Sequence, residues 1–358
     1  MIAKVGVATA MISAAAALHG CAGIGPASLR AGRGAYNEVI NATEDEQLLA
    51  MVVHRRYDES FGMLSVASVT ASFRVSATAG GEIGVGPQSN YDGNLVPLSV
   101  SGGYEENPTI SYVPLKGEQF IERMLAPITA EHAMLLTRMS TDQVESLRFL
   151  VRRVNGIVNP IYASARVALA DGGAFDRFVE LFVHLRENGW LTITNAPGGS
   201  HTMLLHSYGD DGAAEVDDLL RMLGLPGSAK GAPSIEVPIH FFVGGKPGEG
   251  VTLETPSAID ALGAFAQGVR VPEPHLTEGF ARALPPLPDP ALVDIRSSRD
   301  QPRQAAVAVN LKGWWYYIDA RDNASKQAFV MLRTLIGMRI DDASAQQAAP
   351  VLTVPVSR

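Results

Sequence analysis

From Thr70 to Val85 apolar and polar residues alternate along the chain. Ala71, Phe73, Val75, Ala77, Ala79, Ile83 and Val85 fall on one side; Thr70, Ser72, Arg74, Ser76, Thr78 and Glu82 fall on the other. A period of two is the mark of a β-strand. After the turn-rich run Pro87–Asn94, Val96, Leu98, Val100 and Tyr104 alternate with Pro97, Ser99, Ser101 and Glu105, and Thr109–Val113 continue the pattern. Together these segments predict a long amphipathic hairpin over 70–113. Its strands are far longer than the roughly 5–6 residues usual in globular proteins.

Elsewhere the period changes to that of a helix. Leu48, Met51 and Val52 line one face of a segment from Tyr36 to Tyr57, with Thr43 and Glu46 spaced as a capping box that marks a restart. Short helices are expected over Glu118–Met124 and Ala130–Met139. A third, capped by Ser140 with Gln143, carries Val144, Leu147, Val151 and Val154 on one face. Phe175, Phe178, Val179, Phe182 and Leu185 define an amphipathic helix over Ala174–Asn188 that Gly189 stops. Strands follow at Leu191–Thr194 and Met203–Tyr208, then a helix over Ala214–Leu223. Ile235–Val243 and Val251–Glu254 read as a hairpin around the glycine-rich Gly244–Gly250. Pro256 stands where a first-turn proline belongs, opening a helix to Gly268. A proline-rich loop spans Val271–Pro290. The C-terminal part reads β-β-α-β: Ala305–Leu311, a turn at Lys312-Gly313, Trp314–Ile318, a helix over Asn323–Met338 and a strand at Val351–Val354.

The expected fold class is α+β, with an N-terminal amphipathic hairpin, a central helical region and a C-terminal α/β portion. The expected division is 1–20 signal peptide, 21–34 tether, 35–116 helix plus hairpin, 117–190 helical region and 191–358 mixed α+β region.

The first residues carry a targeting pattern. Lys4 is followed from Val5 to Leu18 by apolar or small residues without a charge. That suits a signal peptide and falls short of the roughly 20 apolar residues of a membrane-spanning helix. Leu18-His19-Gly20-Cys21 resembles a lipobox, although His19 departs from the small or apolar residue usual at its position. Cys21 is then the lipidation site. It is the single cysteine among 358 residues, so the chain has no disulfide to form, although an exported protein could use one. Ala22, where an Asp would resemble an inner-membrane retention signal, points to the outer membrane and its periplasmic side.

With 29 basic and 37 acidic residues the net charge is −8, and no basic run invites nucleic acid. No metal, cofactor or catalytic constellation is legible. The histidines include no HExxH, and His201 and His206 have an odd separation that places them on opposite faces of a strand. No GxSxG elbow is present, and Gly199-Ser200-His201 puts serine and histidine side by side on an extended chain, pointing apart. Lys246 in its glycine-rich turn does not fit a phosphate loop.

The densest polar cluster is Asp319, Arg321, Asp322, Ser325 and Lys326, directly after Trp314, Trp315, Tyr316 and Tyr317. Two carboxylates beside aromatic rings suit an acid/base pair or a sugar-binding edge. They suit better a helix cap at Asp322 and a strand-to-helix turn at Asp319 and Arg321.

Tyr36-Asn37, Gln47-Leu48-Leu49, Arg56-Tyr57, Gly117-Glu118-Gln119-Phe120 and Trp315-Tyr316-Tyr317-Ile318-Asp319, with Asp322, Ser325 and Lys326, resemble a family of uncharacterised proteobacterial lipoproteins. The resemblance implies export and anchoring and supplies no catalytic residue. The function expected is that of a lipid-anchored, non-catalytic envelope component, held at the membrane by lipid and acting through a protein partner or copies of itself. The alternatives are a subunit of an oligomeric barrel pore built from the hairpin, and a periplasmic hydrolase of glycan or peptide.

Overall fold

The computed structural model describes residues 24–80, 99–115, 118–139, 142–163, 173–195, 201–206, 209–227, 233–241, 250–284, 291–344 and 352–355. Cys21, residues 81–98, Ser140, Ser200 and Lys246 lie outside the described residues. In chain order the elements are α1 (Ile24–Arg56), β1 (Met63–Gly80), β2 (Ser99–Leu115), α2 (Glu118–Leu125), α3 (Ala130–Met139), α4 (Gln143–Leu150), β3 (Arg153–Val154), β4 (Ile157–Val158), α5 (Ala174–Glu187), β5 (Leu191–Asn195), β6 (His201–His206), α6 (Gly209–Met222), β7 (Ser234–Phe241), β8 (Val251–Glu254), α7 (Ala258–Gln267), α8 (Glu273–Thr277), β9 (Arg296–Ser298), β10 (Ala305–Leu311), β11 (Trp314–Asp319), α9 (Asn323–Ser344) and β12 (Leu352–Pro355). The fold class is α+β, a mixture of helix and strand. The chain divides into one unit of Met1–Phe61 and Glu118–Arg339, and a second of Gly62–Gly117 and Ile340–Arg358.

The second unit holds a three-stranded sheet in the order β1-β2-β12. β1 pairs antiparallel with β2 from Met63↔Leu115 to Gly80↔Ser99, with a register shift between Val66 and Ser68. β12 pairs antiparallel with the other edge of β2, from Leu352↔Tyr112 to Pro355↔Thr109.

The first unit is built on a six-stranded sheet in the order β4-β3-β8-β7-β6-β5. Its period-two pattern separates two faces. Leu191, Met203, Leu205, Val237, Ile239 and Val251 point to one side and pack against Phe175, Phe178, Val179 and Leu185 of α5 and Val216, Leu219 and Leu220 of α6. Thr192, Glu236, Pro238 and His240 point to the other and are exposed. α5 ends in a left-handed glycine: Gly189 has φ 73°. The Trp190 N–H donates to the Leu185 carbonyl at 2.8 Å and the Gly189 N–H to the Arg186 carbonyl at 3.1 Å. These two bonds satisfy carbonyls that the helix end would otherwise leave open.

β7 and β8 are neighbours but run parallel, with Ile239 opposite Val251 and Phe241 opposite Leu253. The expected hairpin is therefore corrected. Period two reports which face a residue takes and is silent on strand direction. Gly250 enters β8 at φ 130°, where a Cβ would collide with the Pro238 carbonyl. Only glycine fits that approach.

Several helix boundaries also differ from the sequence pattern. α1 begins at Ile24, so most of the segment read as a tether is helical. Thr43 marks no restart, because its hydroxyl donates to the Ile40 carbonyl at 2.9 Å within one continuous helix. α4 is capped by Asp142, whose Oδ1 accepts from the N–H of Val144 at 2.9 Å and Glu145 at 3.2 Å. It ends at Leu150, and Val154 passes into β3. α7 starts in a capping box of Ser257 with Asp260, and Pro256 precedes it. A short helix, α8, interrupts the proline-rich stretch.

β10 and β11 form an antiparallel hairpin, joined on its open side by β9. Its turn places Lys312 at φ 53° and Gly313 at φ 76°, the two positive values a tight hairpin turn requires. α1 packs against both α7 and β10, burying Leu48, Leu49, Val52 and Val53.

Candidate functional site

The aromatic and polar run after β10 is divided by the geometry of β11. Consecutive strand residues point to opposite faces, so Trp314, Tyr316 and Ile318 share one side and Trp315, Tyr317 and Asp319 the other. Tyr316 and Ile318 are fully buried, while Trp315, Tyr317 and Asp319 are half-buried. The Arg299 guanidinium lies over the Trp314 ring at 4.2 Å from its centroid. Trp315 lines an open cleft of about 800 Å³ together with Glu38, Asp45, Glu46 and Arg303. Burial pushes the Asp45 carboxyl up, against the pull of Arg333.

The two carboxylates of the run serve separate structural tasks. Asp319 accepts from the Arg296 guanidinium at 2.9 Å and from the Arg321 N–H at 2.9 Å. Arg296 also donates to Asp294 at 3.0 Å, and Asp294 takes a two-point grip from Arg270 at 2.5 and 2.9 Å. The result is an alternating row, Arg270–Asp294–Arg296–Asp319. The hydrogen bond to Asp294, reinforced by the charges of Asp294 and Asp319, raises the Arg296 pKa. Asp322 caps α9: its Oδ1 accepts from the Ser325 N–H at 3.0 Å and its Oδ2 from the Ser325 hydroxyl at 2.6 Å. The Ser325 hydroxyl accepts in turn from the Asp294 N–H at 2.9 Å. Lys326 Nζ donates to the Ala320 carbonyl at 2.7 Å, and the Arg321 side chain is exposed.

A second cluster gave no local signal. Tyr57 directly follows α1, and its hydroxyl lies 2.6 Å from His275 Nδ1 and 2.5 Å from the Tyr316 hydroxyl. These partners are 218 and 259 residues away, beyond the reach of any periodicity. Phe280 and Trp314 meet the His275 ring edge-on. Burial pushes both tyrosine hydroxyls above their ordinary range. Beside them Lys312 pairs with Glu59 at 2.5 Å, and His54 Nδ1 lies 2.8 Å from the same carboxylate. The hydrogen bond from Lys312 is the largest influence holding the Glu59 carboxyl below its usual range.

Two further cavities belong to this unit. One, of about 310 Å³, has a mixed lining in which Arg55, Arg56, Asp58, Asp260 and Arg282 stand beside apolar residues such as Ile161 and Leu284. Asp58 pairs with Arg282 at 2.7 Å, and Arg56 donates to the Arg282 carbonyl at 2.6 Å. Burial, above all, lowers the Arg56 pKa. The other, of about 420 Å³, is largely apolar and lies between the helices and the end of the six-stranded sheet. Neither Asp319 nor Asp322 lines any of the three cavities.

No protein-family model, curated protein or solved structure matches this chain. The site is therefore read from its own chemistry. Among the described residues no three His, Cys, Asp or Glu side chains gather to hold a metal ion. His201 meets the Phe241 ring edge-on, and His184 lies 3.2 Å from Glu215 on the surface. Among the described residues no helix is long and apolar enough to cross a membrane.

Proposed function

We propose that this protein is a lipid-anchored, non-catalytic component of the bacterial cell envelope. It associates with a protein partner or with copies of itself through the long strand pair. The observation that carries this reading is the strand order β1-β2-β12. β1 runs for 18 residues, and among the described residues it is paired on one side only. An unpaired strand edge offers a row of backbone donors and acceptors to another chain.

Anchoring rests on the lipobox-like Leu18–Cys21. Acyl chains on Cys21 stabilise membrane attachment by about 0.8 kcal/mol per buried CH2, which would hold the chain at the outer membrane, facing the periplasm. The non-catalytic reading is favoured by the tasks of Asp319 and Asp322. Their oxygens are engaged in an ion pair, a turn and a helix cap. The hydrolase reading needs those carboxylates or His201 in a cleft; none of the three lines any of the three cavities, and His201 packs edge-on against Phe241.

A second reading shares the same element. β1 and β2 have 18 and 17 residues, against the roughly 9–11 that a membrane strand needs. Strand pairs from several subunits would then close into a barrel pore.

Cross-linking separates these readings. Ser72→Cys in β1 provides a thiol for a short bifunctional cross-linker on intact cells. Specific adducts between chains support association through this edge, whereas only monomer would refute it. Ion conductance by the purified protein in a planar bilayer selects the pore; its absence, with adducts present, selects the scaffold. Cys21→Ser is expected to move the protein out of the membrane fraction, and retention there would refute lipid anchoring.

A further inference from the structure

We infer that the cavity of about 420 Å³ between α3, α4, α5 and the six-stranded sheet binds a single-chain amphiphile with an anionic head, of the long-chain carboxylate class. Its volume lies within the roughly 300–1,000 Å³ of small-molecule sites, which are mostly apolar with a few orienting polar groups.

The apolar part comes from two layers. Ile193, Ile239, Phe241 and Leu253 rise from the sheet, on the same face that carries the core, and Leu147 and Phe182 descend from α4 and α5. α6 packs over the core residues of that face and, among the described residues, contributes nothing to this end. Ile193, Phe241, Leu253 and Leu147 consequently stay half-buried. Leaving such side chains wet is unfavourable, by roughly 25 cal/mol per Å² of apolar surface. An aliphatic chain laid on them removes that cost.

The polar part sorts into groups already satisfied and groups left over. The Thr137 hydroxyl donates to the Ala133 carbonyl at 2.8 Å, and the Thr255 hydroxyl to the Ile128 carbonyl at 2.6 Å. Two exposed guanidiniums remain, Arg138 and Arg186, and among the described residues no Asp or Glu lines the cavity. Neither arginine forms a salt bridge among the described residues. Gln143 Oε1 is buried in the same wall without a hydrogen-bond donor among the described residues. The unused capacity is therefore two cations and one acceptor beside an apolar floor. A carboxylate answers the guanidiniums with charge-assisted hydrogen bonds, and an O–H or N–H near the head would answer Gln143. A cationic quaternary amphiphile satisfies the floor alone, and a neutral alcohol the floor and Gln143 but neither guanidinium.

Titration calorimetry on the full chain carrying Cys21→Ser, produced without acylation and kept free of detergent, tests the inference. The probes are dodecanoate, dodecan-1-ol and dodecyltrimethylammonium, each below its micelle concentration. Dodecanoate is expected to bind one per chain, about tenfold or more tighter than either other probe, a difference of about 1.4 kcal/mol or more. Arg138→Gln with Arg186→Gln is expected to abolish that preference while dodecan-1-ol binding persists. Leu253→Trp, or Leu147→Trp if the first variant fails to fold by circular dichroism, is expected to abolish binding of all three by filling the cavity. The inference is overturned if dodecanoate does not bind, if the cationic probe binds as well, or if the filled variant binds like the parent.

Discussion

The hydroxyl of Tyr57 stands 2.5 Å from that of Tyr316 and 2.6 Å from Nδ1 of His275, joining the end of α1 to β11 and α8 in a buried hydrogen-bonded row. Tyr57 is the shared member. Tyr57→Phe leaves both Tyr316 and His275 short of a partner, whereas Tyr316→Phe removes one bond of the row. Each buried polar group left unsatisfied costs about 1–3 kcal/mol. In urea denaturation Tyr57→Phe is expected to lose about 2–6 kcal/mol and to be the more damaging of the two. Equal or reversed losses would show that the row contributes little.

The same tyrosines set an alkaline limit. Burial raises the pKa of both in the folded chain, against about 10 when unfolded. A raised folded pKa means that the folded chain keeps protons which the unfolded chain releases. Their contribution is whole below pH about 10 and falls as pH climbs through the folded values, by up to about 1.4 kcal/mol per pH unit for each tyrosine. Denaturation midpoints measured from pH 8 to 11 are expected to drop at the alkaline end, and to drop less steeply in Tyr57→Phe/Tyr316→Phe. Tyr162, also raised by burial, keeps some slope in that variant. An unchanged slope would contradict the assignment.

Glycine is required at one strand entrance and merely favoured at a hairpin turn. Gly250 combines φ 130° with a backbone carbonyl where its Cβ would be, while Gly313 at φ 76° faces open space. Gly250→Ala is expected to cost more than about 2 kcal/mol, and Gly313→Ala about 1 kcal/mol. Thermal unfolding of the two variants checks the order, and a smaller loss at Gly250 would contradict the parallel entry into β8.

Asp322 and Ser325 act as one cap. Asp322→Ala is expected to cost about 1 kcal/mol. The double variant with Ser325→Ala should cost less than the sum of the two single losses, since the residues share their bonds. A double-mutant cycle by chemical denaturation reads this directly; simple additivity would separate the two roles.

What the chain discloses locally is what local physics determines. Ala130–Met139 and Ala305–Leu311 are legible in full because their side-chain period and flanking turns agree. Asp142 and Ser140 are both good caps two positions apart, and spacing alone does not choose between them. The parallel course of β8 depends on how the chain returns after Phe241, which alternation does not encode. The Tyr57 row and the amphipathic cavity assemble residues from distant segments. No pattern along the chain links Tyr57 to His275 or Arg138 to Leu253. By contrast Asp319 and Asp322, conspicuous in the sequence beside four aromatic residues, are taken up by a turn with an ion pair to Arg296 and by a helix cap.

Association through the long strand pair would leave its mark on the size of the native protein. The most direct measurement is the native mass of the protein extracted from membranes in mild detergent, by light scattering with correction for bound detergent. A homogeneous assembly larger than one subunit is expected, reduced to a single subunit when residues 63–115 are replaced by a short glycine-serine linker. A monodisperse single subunit from the intact chain would contradict it.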